Sequence, residues 1–221
     1  MATERLLRLG LVLALGLAQA CAAPRGPVSP ELEAVAEKGD ALSTFDALEA
    51  LIAAGSDTPA DREYAYQVVI AEEGGGAAYG FARAAITGRL VQQRGLLGAD
   101  LVPAVERWAT QSRMLDPGFR DGAATRLLGT LYVLAPARLF AHGDSEEGLS
   151  LLDGLTREYP RDPENHLRLA EAYIALGDSA PAAPHLCFCL EHRAELRPDD
   201  QRLLQQLVST PGSPVDCPPP D

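Results

Sequence analysis

Lysine is almost missing from this 221-residue chain: Lys38 is the only one, and every other basic side chain is an arginine. Aromatic residues reach only 5%, with Trp108 the single tryptophan. Sheets select β-branched and aromatic side chains, so a chain dominated by alanine and leucine points instead to closely packed helices. No segment alternates apolar and polar residues as a half-buried strand does. Positive charge is scarce too, with a formal net charge of −12. That balance argues against a nucleic-acid partner, because phosphate binding needs a basic face. With 47% apolar residues the chain has ample material for a core, and its length suits one or two domains.

Long apolar runs are also absent. The run over 9–20, preceded by Arg5 and Arg8, is too short to cross a bilayer as a helix and reads as an export address. It ends in Leu17-Ala18-Gln19-Ala20-Cys21, where two readings meet. Ala18 and Ala20 suit ordinary signal-peptide cleavage, whereas small residues leading straight into Cys21 resemble a bacterial lipobox, the reading favoured here. Ala18 stands where lipoboxes usually carry leucine. Ala22 follows the cysteine, and by resemblance to Gram-negative lipoproteins it permits export to the outer membrane. The expected location is therefore the periplasmic face of a bacterial membrane, through a lipid on Cys21. Residues 1–20 are read as signal peptide and 21–30 as a Pro-containing tether.

Cysteines are few, four in all, and matter because an exported protein meets oxidising conditions. With Cys21 acylated, Cys187, Cys189 and Cys217 remain as disulfide candidates. Cys187 and Cys189 lie two apart on a helix and face different ways, so they do not suit each other. Cys217, in the Pro-rich tail 209–221 read as disordered, can return to either one, with Cys187 the better partner because Cys189 occupies a small inward position.

What the chain has in plenty is helix punctuation. Pro30 opens one helix and Asp40 caps a second. Thr58-Pro59-Ala60-Asp61 starts a third ending near Ile70. After Gly74-Gly75-Gly76, helices are expected over 77–93 and 100–115, the latter with Val102, Val105, Trp108 and Ala109 on one side. Residues 31–121 read as divergent helical repeats and 122–208 as two hairpins with a capping helix. In the second hairpin Leu169, Ala170 and Tyr173 are answered by Ala182, Leu186 and Cys189. In the first, Leu128, Gly129 and Tyr132 are answered by Gly148, Leu152 and Leu155. Pro184 predicts a late start or a kink in its helix.

These spacings resemble tetratricopeptide (TPR) repeats, in which a large residue, a small one and an aromatic on one helix meet small, large and small on the next. His166 stands at the leading tryptophan position, and the closing proline comes late, at Pro198. An extra segment over 134–140 separates the helices of the first copy. With Arg126-Leu127-Leu128-Gly129-x-Leu131-Tyr132, Ala135-Pro136, Gly143-Asp144 and Pro163-Glu164-Asn165-His166, it is similar to TatT-like lipoproteins, which are associated with TRAP-type transporters. The TPR resemblance implies an all-α solenoid of stacked antiparallel hairpins whose first helices line a concave face. Arg126, Thr130, Val133, Glu164, Leu167, Glu171 and Ile174 would lie on it. It implies a protein or peptide partner in the cell envelope, while the TatT-like resemblance implies a small-molecule accessory of a transporter and possible homo-oligomers.

Catalysis is not expected. Ser145, after Gly143-Asp144, sits at a helix start where Asp144 and Glu147 suit a capping box, and no histidine is placed to activate it. His185, Cys189 and His192 share a helix face at zinc-ligand spacing, but Cys189 also suits a small core position and no fourth ligand accompanies them. No metal or other cofactor is expected. Gly74 to Gly76 lacks the lysine and preceding strand of a phosphate loop and reads as a joint.

Overall fold

The computed structural model describes residues 26–210 and Cys217; residues 1–25, on which the readings of a signal peptide, an acylated Cys21 and most of a tether fall, and the rest of the Pro-rich tail lie outside the described residues. Among the described residues the secondary structure is helical, with no strand. Helices α1 (Pro30–Ala36), α2 (Ala41–Ala54), α3 (Pro59–Ala71), α4 (Gly76–Arg94) and α5 (Val102–Leu115) form the first part. Helices α6 (Ala123–Leu134), α7 (Ser145–Glu158), α8 (Pro163–Ala175), α9 (Ala182–Glu191) and α10 (Pro198–Ser209) follow. None is long and apolar enough to cross a membrane.

The starts follow local chemistry. The Asp40 carboxylate accepts the Ser43 N–H, and Thr58 with Asp61 forms a reciprocal capping box ahead of α3. Asp144 accepts the N–H groups of Glu146 and Glu147, and Asp162 accepts that of Glu164. Helix α5 begins at Val102 rather than at residue 100, because a 3-10 turn, Gly95–Leu101, carries the chain around the corner from α4. Pro184 does not kink α9: the helix starts at Ala182, so the proline falls in the first turn, where its missing N–H has no helical partner to lose.

Packing runs in successive antiparallel pairs. Ser112 Oγ near the end of α5 donates to the Ala77 carbonyl at the start of α4. A Cβ on Gly129 of α6 would stand 2.7 Å from Leu152 Cγ and 3.0 Å from the Gly148 carbonyl oxygen, so both glycines let α6 and α7 meet backbone to backbone. In the next pair Ala170, Ala182, Leu186 and Cys189 are fully buried, and the Cys189 thiol donates to the Pro163 carbonyl oxygen at 3.3 Å. Arg126 near the start of α6 reaches Asn165 near the start of α8, so α6 and α8 run parallel, as do α4 and α6, which both flank α5.

The chain also returns on itself. Helix α10 packs on α2, α8 and α9. Arg197 donates to Glu49 of α2 at 2.6 Å, and Arg202 donates to the Ile52 carbonyl at 3.2 Å. Glu49 also holds Arg89 of α4 through two bonds of 2.6 and 2.7 Å. Burial pushes the Glu49 carboxyl up, but the two arginines outweigh it and hold it below the ordinary carboxylate value.

Candidate functional site

An open cleft of about 580 Å³ lies where α3 turns into α4, against the end of α5. Its floor is set by close approaches. Gly80 allows α4 to lie on the Trp108 carbonyl and Ser112 of α5, which brings Tyr79 and Trp108 edge to face with ring centroids 5.6 Å apart. Gly74 lies directly under the Tyr79 ring, which a Cβ there would strike, and the phenol donates to the Glu72 carbonyl at 2.8 Å. One turn on, Arg83 donates to the Tyr79 hydroxyl and holds its guanidinium 4.4 Å above the Trp108 ring. Glu73 and Ile70 complete the rim, with Ile70 37% exposed. Leu115, two turns after Trp108 on the same side of α5, is 57% exposed, and neighbouring Met114 is 80% exposed. The cleft therefore offers an oriented cation on an aromatic base, bordered by carboxylates and apolar side chains. Such a set suits recognition of a surface with both apolar and charged groups.

The seven residues expected on a concave face are gathered along α6 and α8, but the chain's own groups engage them. Arg126 Nε lies 3.1 Å from Glu164, and its Nη1 lies 3.2 Å from Asp162 and donates to Asn165 at 2.7 Å. Glu171 pairs with Arg168 at 3.1 Å, and Arg168 also binds Asp200 of α10. Val133 and Leu167, expected on the open side, are instead buried: Val133 against Leu152 of α7 and Leu169 and Ala172 of α8, and Leu167, completely, under α9 and α10. The Thr130 hydroxyl is buried, and Ile174 packs against the α8–α9–α10 core. Contacts 148 and 150 residues long in sequence, Arg197 to Glu49 and Arg202 to the Ile52 carbonyl, bring α10 across to α2.

Cys187 and Cys217 are joined by a disulfide, while Cys189 stays a buried free thiol whose pKa burial pushes up to about 12. His185, Cys189 and His192 do not converge. His185 Nδ1 meets His166 Nδ1 at 2.9 Å, and His192 meets Glu195 at 2.9 Å. Among the described residues no group of three potential metal ligands is assembled. Ser145 is the first residue of α7, next to its cap, Asp144.

The cleft residues escaped the sequence reading. Gly74 to Gly76 stood out as a joint and Trp108 as one of a helix stripe, but nothing local links Tyr79, Arg83 and Trp108. The α4–α5 packing does. Compared with known proteins, the chain matches no family model and no curated protein, so the chemistry of the site is read from its own residues.

Proposed function

We propose that this protein is a lipid-anchored periplasmic scaffold of TPR-like hairpins that holds a protein or peptide partner in an envelope complex. The observation that carries the reading is the Arg83–Trp108–Tyr79 cleft, with Ile70 exposed on its rim. Tryptophan, tyrosine and arginine are the side chains that dominate binding energy at protein interfaces, and here they are held rigid before any partner arrives. The repeat reading is supported by the burial of matching positions in two hairpins: Leu128, Gly129 and Leu152 in one, Leu169, Ala170 and Leu186 in the other. Stacked hairpins of this kind are surfaces for holding other molecules more often than catalysts. The lipobox reading of Cys21 supplies the membrane.

The test is chemical crosslinking and pull-down from native envelopes, comparing the wild type with Arg83→Ala and Trp108→Ala. A discrete protein partner, lost in both variants, is expected. Equal recovery with the variants would reject the cleft as the contact. Recovery of TRAP-type permease subunits would turn the reading toward a small-molecule transport accessory.

A further inference from the structure

Leu96 and Leu97 are the most exposed large apolar side chains of the described residues, at 86% and 87%, on the 3-10 turn between α4 and α5. Adjacent leucines in water on a turn are unusual enough to need an occupant. The packing shows which end of the molecule they mark. Arg94, the last residue of α4, binds Glu63 in the first turns of α3 through bonds of 2.6 and 2.9 Å. Two residues before Glu63, Asp61 accepts the Ser29 N–H at 2.7 Å and the Ser29 hydroxyl at 3.0 Å. The N-terminal segment thus enters the fold beside the leucine turn. Because α4, α6 and α8 run parallel, exposed Leu134 and Leu176 at the ends of α6 and α8 mark the same end. So do the exposed Pro136 and Ala137 of the extra segment in the first hairpin.

We propose that this end lies on the bilayer, with Leu96 and Leu97 seated among the lipid acyl chains next to the anchor. The inference rests on the lipid-anchor reading of Cys21. From Cys21 to Ser29 the chain spans at most about 28 Å even when fully extended, and Ser29 is tied to Asp61, so whatever faces this end is held beside the membrane. A lipid surface fits better than a strongly acidic or basic protein face: Arg94 is paired with Glu63 and Arg62 with Asp57 at 2.7 Å, and the exposed Asp100 and Arg138, which form no ion pair among the described residues, are opposite in sign. The contact is therefore apolar and insensitive to salt. It also orients the molecule. The Arg83–Trp108 cleft opens at the far end of α4, whose 19 residues span roughly 28 Å, and so faces away from the membrane.

The test uses the full lipidated chain bound to phosphatidylethanolamine–phosphatidylglycerol vesicles that carry brominated acyl chains. Leu97→Trp is compared with Arg157→Trp, at the opposite end, and with the wild type, whose only indole is Trp108. The emission that Leu97→Trp adds to that of Trp108 is expected to move to the blue and be mostly quenched, equally at low and high salt, while the Trp108 signal and the emission added by Arg157→Trp are unaffected. A water-like, unquenched Leu97→Trp signal in a chain that still sediments with vesicles overturns this proposal and leaves the anchor standing. Without sedimentation or quenching, both fail. A blue shift without vesicles, accompanied by a doubled mass, would assign the leucines to a second copy of the chain and also overturn it. Independently, Leu96→Ser with Leu97→Ser in the wild-type background should speed transfer of the lipidated protein between vesicles about a hundredfold or more; an unchanged rate contradicts the insertion.

Discussion

The two hairpins α6–α7 and α8–α9 use the same register of large and small residues but are held together by different means. The first closes on bare backbone, Gly129 against Gly148, beside packed Val133 and Leu152, and the buried Glu106 of neighbouring α5 accepts the Tyr132 hydroxyl and the N–H groups of Ala141 and His142. The second closes on Ala170, Ala182 and Cys189 and is then bound from outside. Cys187 is bonded to Cys217, and α8 is tied to α10 by Arg168 and Asp200, while α10 is tied to α2 through Arg197 and Glu49. A repeat therefore specifies where helices meet; what secures each meeting is supplied separately, and in the second hairpin it comes from distant parts of the chain.

Breaking the outer bonds of the second hairpin should have the largest effect. Glu49→Ala leaves the Arg89 and Arg197 guanidiniums without their buried carboxylate, and should cost about 3–5 kcal/mol in chemical denaturation, with α10 freed first in hydrogen exchange. The same carboxylate predicts an acid limit. Its folded pKa lies below the ordinary 4.5, so its stabilisation is complete above that value and is lost as pH falls through the folded one. Asp200 has the opposite sign, since burial raises its pKa despite Arg168. The readout is therefore the difference between the wild type and Glu49→Gln across the acid range, which should shrink on acidification.

Next comes the disulfide. It closes a separation of 30 residues, and Cys217→Ser should lower stability by about 3 kcal/mol, with lost protection in α9 and none in α6 or α7. Equal loss in both hairpins would show that they do not differ as described. A smaller effect is expected from Gly148→Ala, whose Cβ would stand 2.8 Å from the Gly129 carbonyl oxygen; overpacking there should cost about 1–3 kcal/mol and open the first hairpin alone. Smallest is the titration of His166 and His185, whose ring nitrogens meet at 2.9 Å. Burial lowers both pKa values from 6.5, so the folded pair resists protonation. Stability should be complete above about pH 6.5 and decline below it in the wild type, and decline less in His185→Phe.

Local signals in the sequence carried the fold a long way. Asp40, the Thr58–Asp61 box, Asp144 and Asp162 each mark a helix start within three residues, and each does so in the structure. The turn over 95–101 was less legible: Asp100 looked like a helix start, but Gly95 lies at positive φ and Pro103 sets the first turn of α5. The arrangements that give the molecule its sites were not legible at all. Arg197 and Glu49, or Tyr79 and Trp108, belong to different helices, and no period or motif records which helices will touch. The face expected to bind along α6 and α8 followed from two hairpins with a capping helix, and nothing local records that this helix also crosses to α2.

The most direct test places a photo-crosslinking amino acid in living cells at Ile70, beside the cleft, and at Leu97, at the tether end. The account predicts a discrete protein adduct from Ile70, abolished by Arg83→Ala, and lipid adducts from Leu97. A protein adduct from Leu97 with none from Ile70 would contradict both the contact site and the orientation.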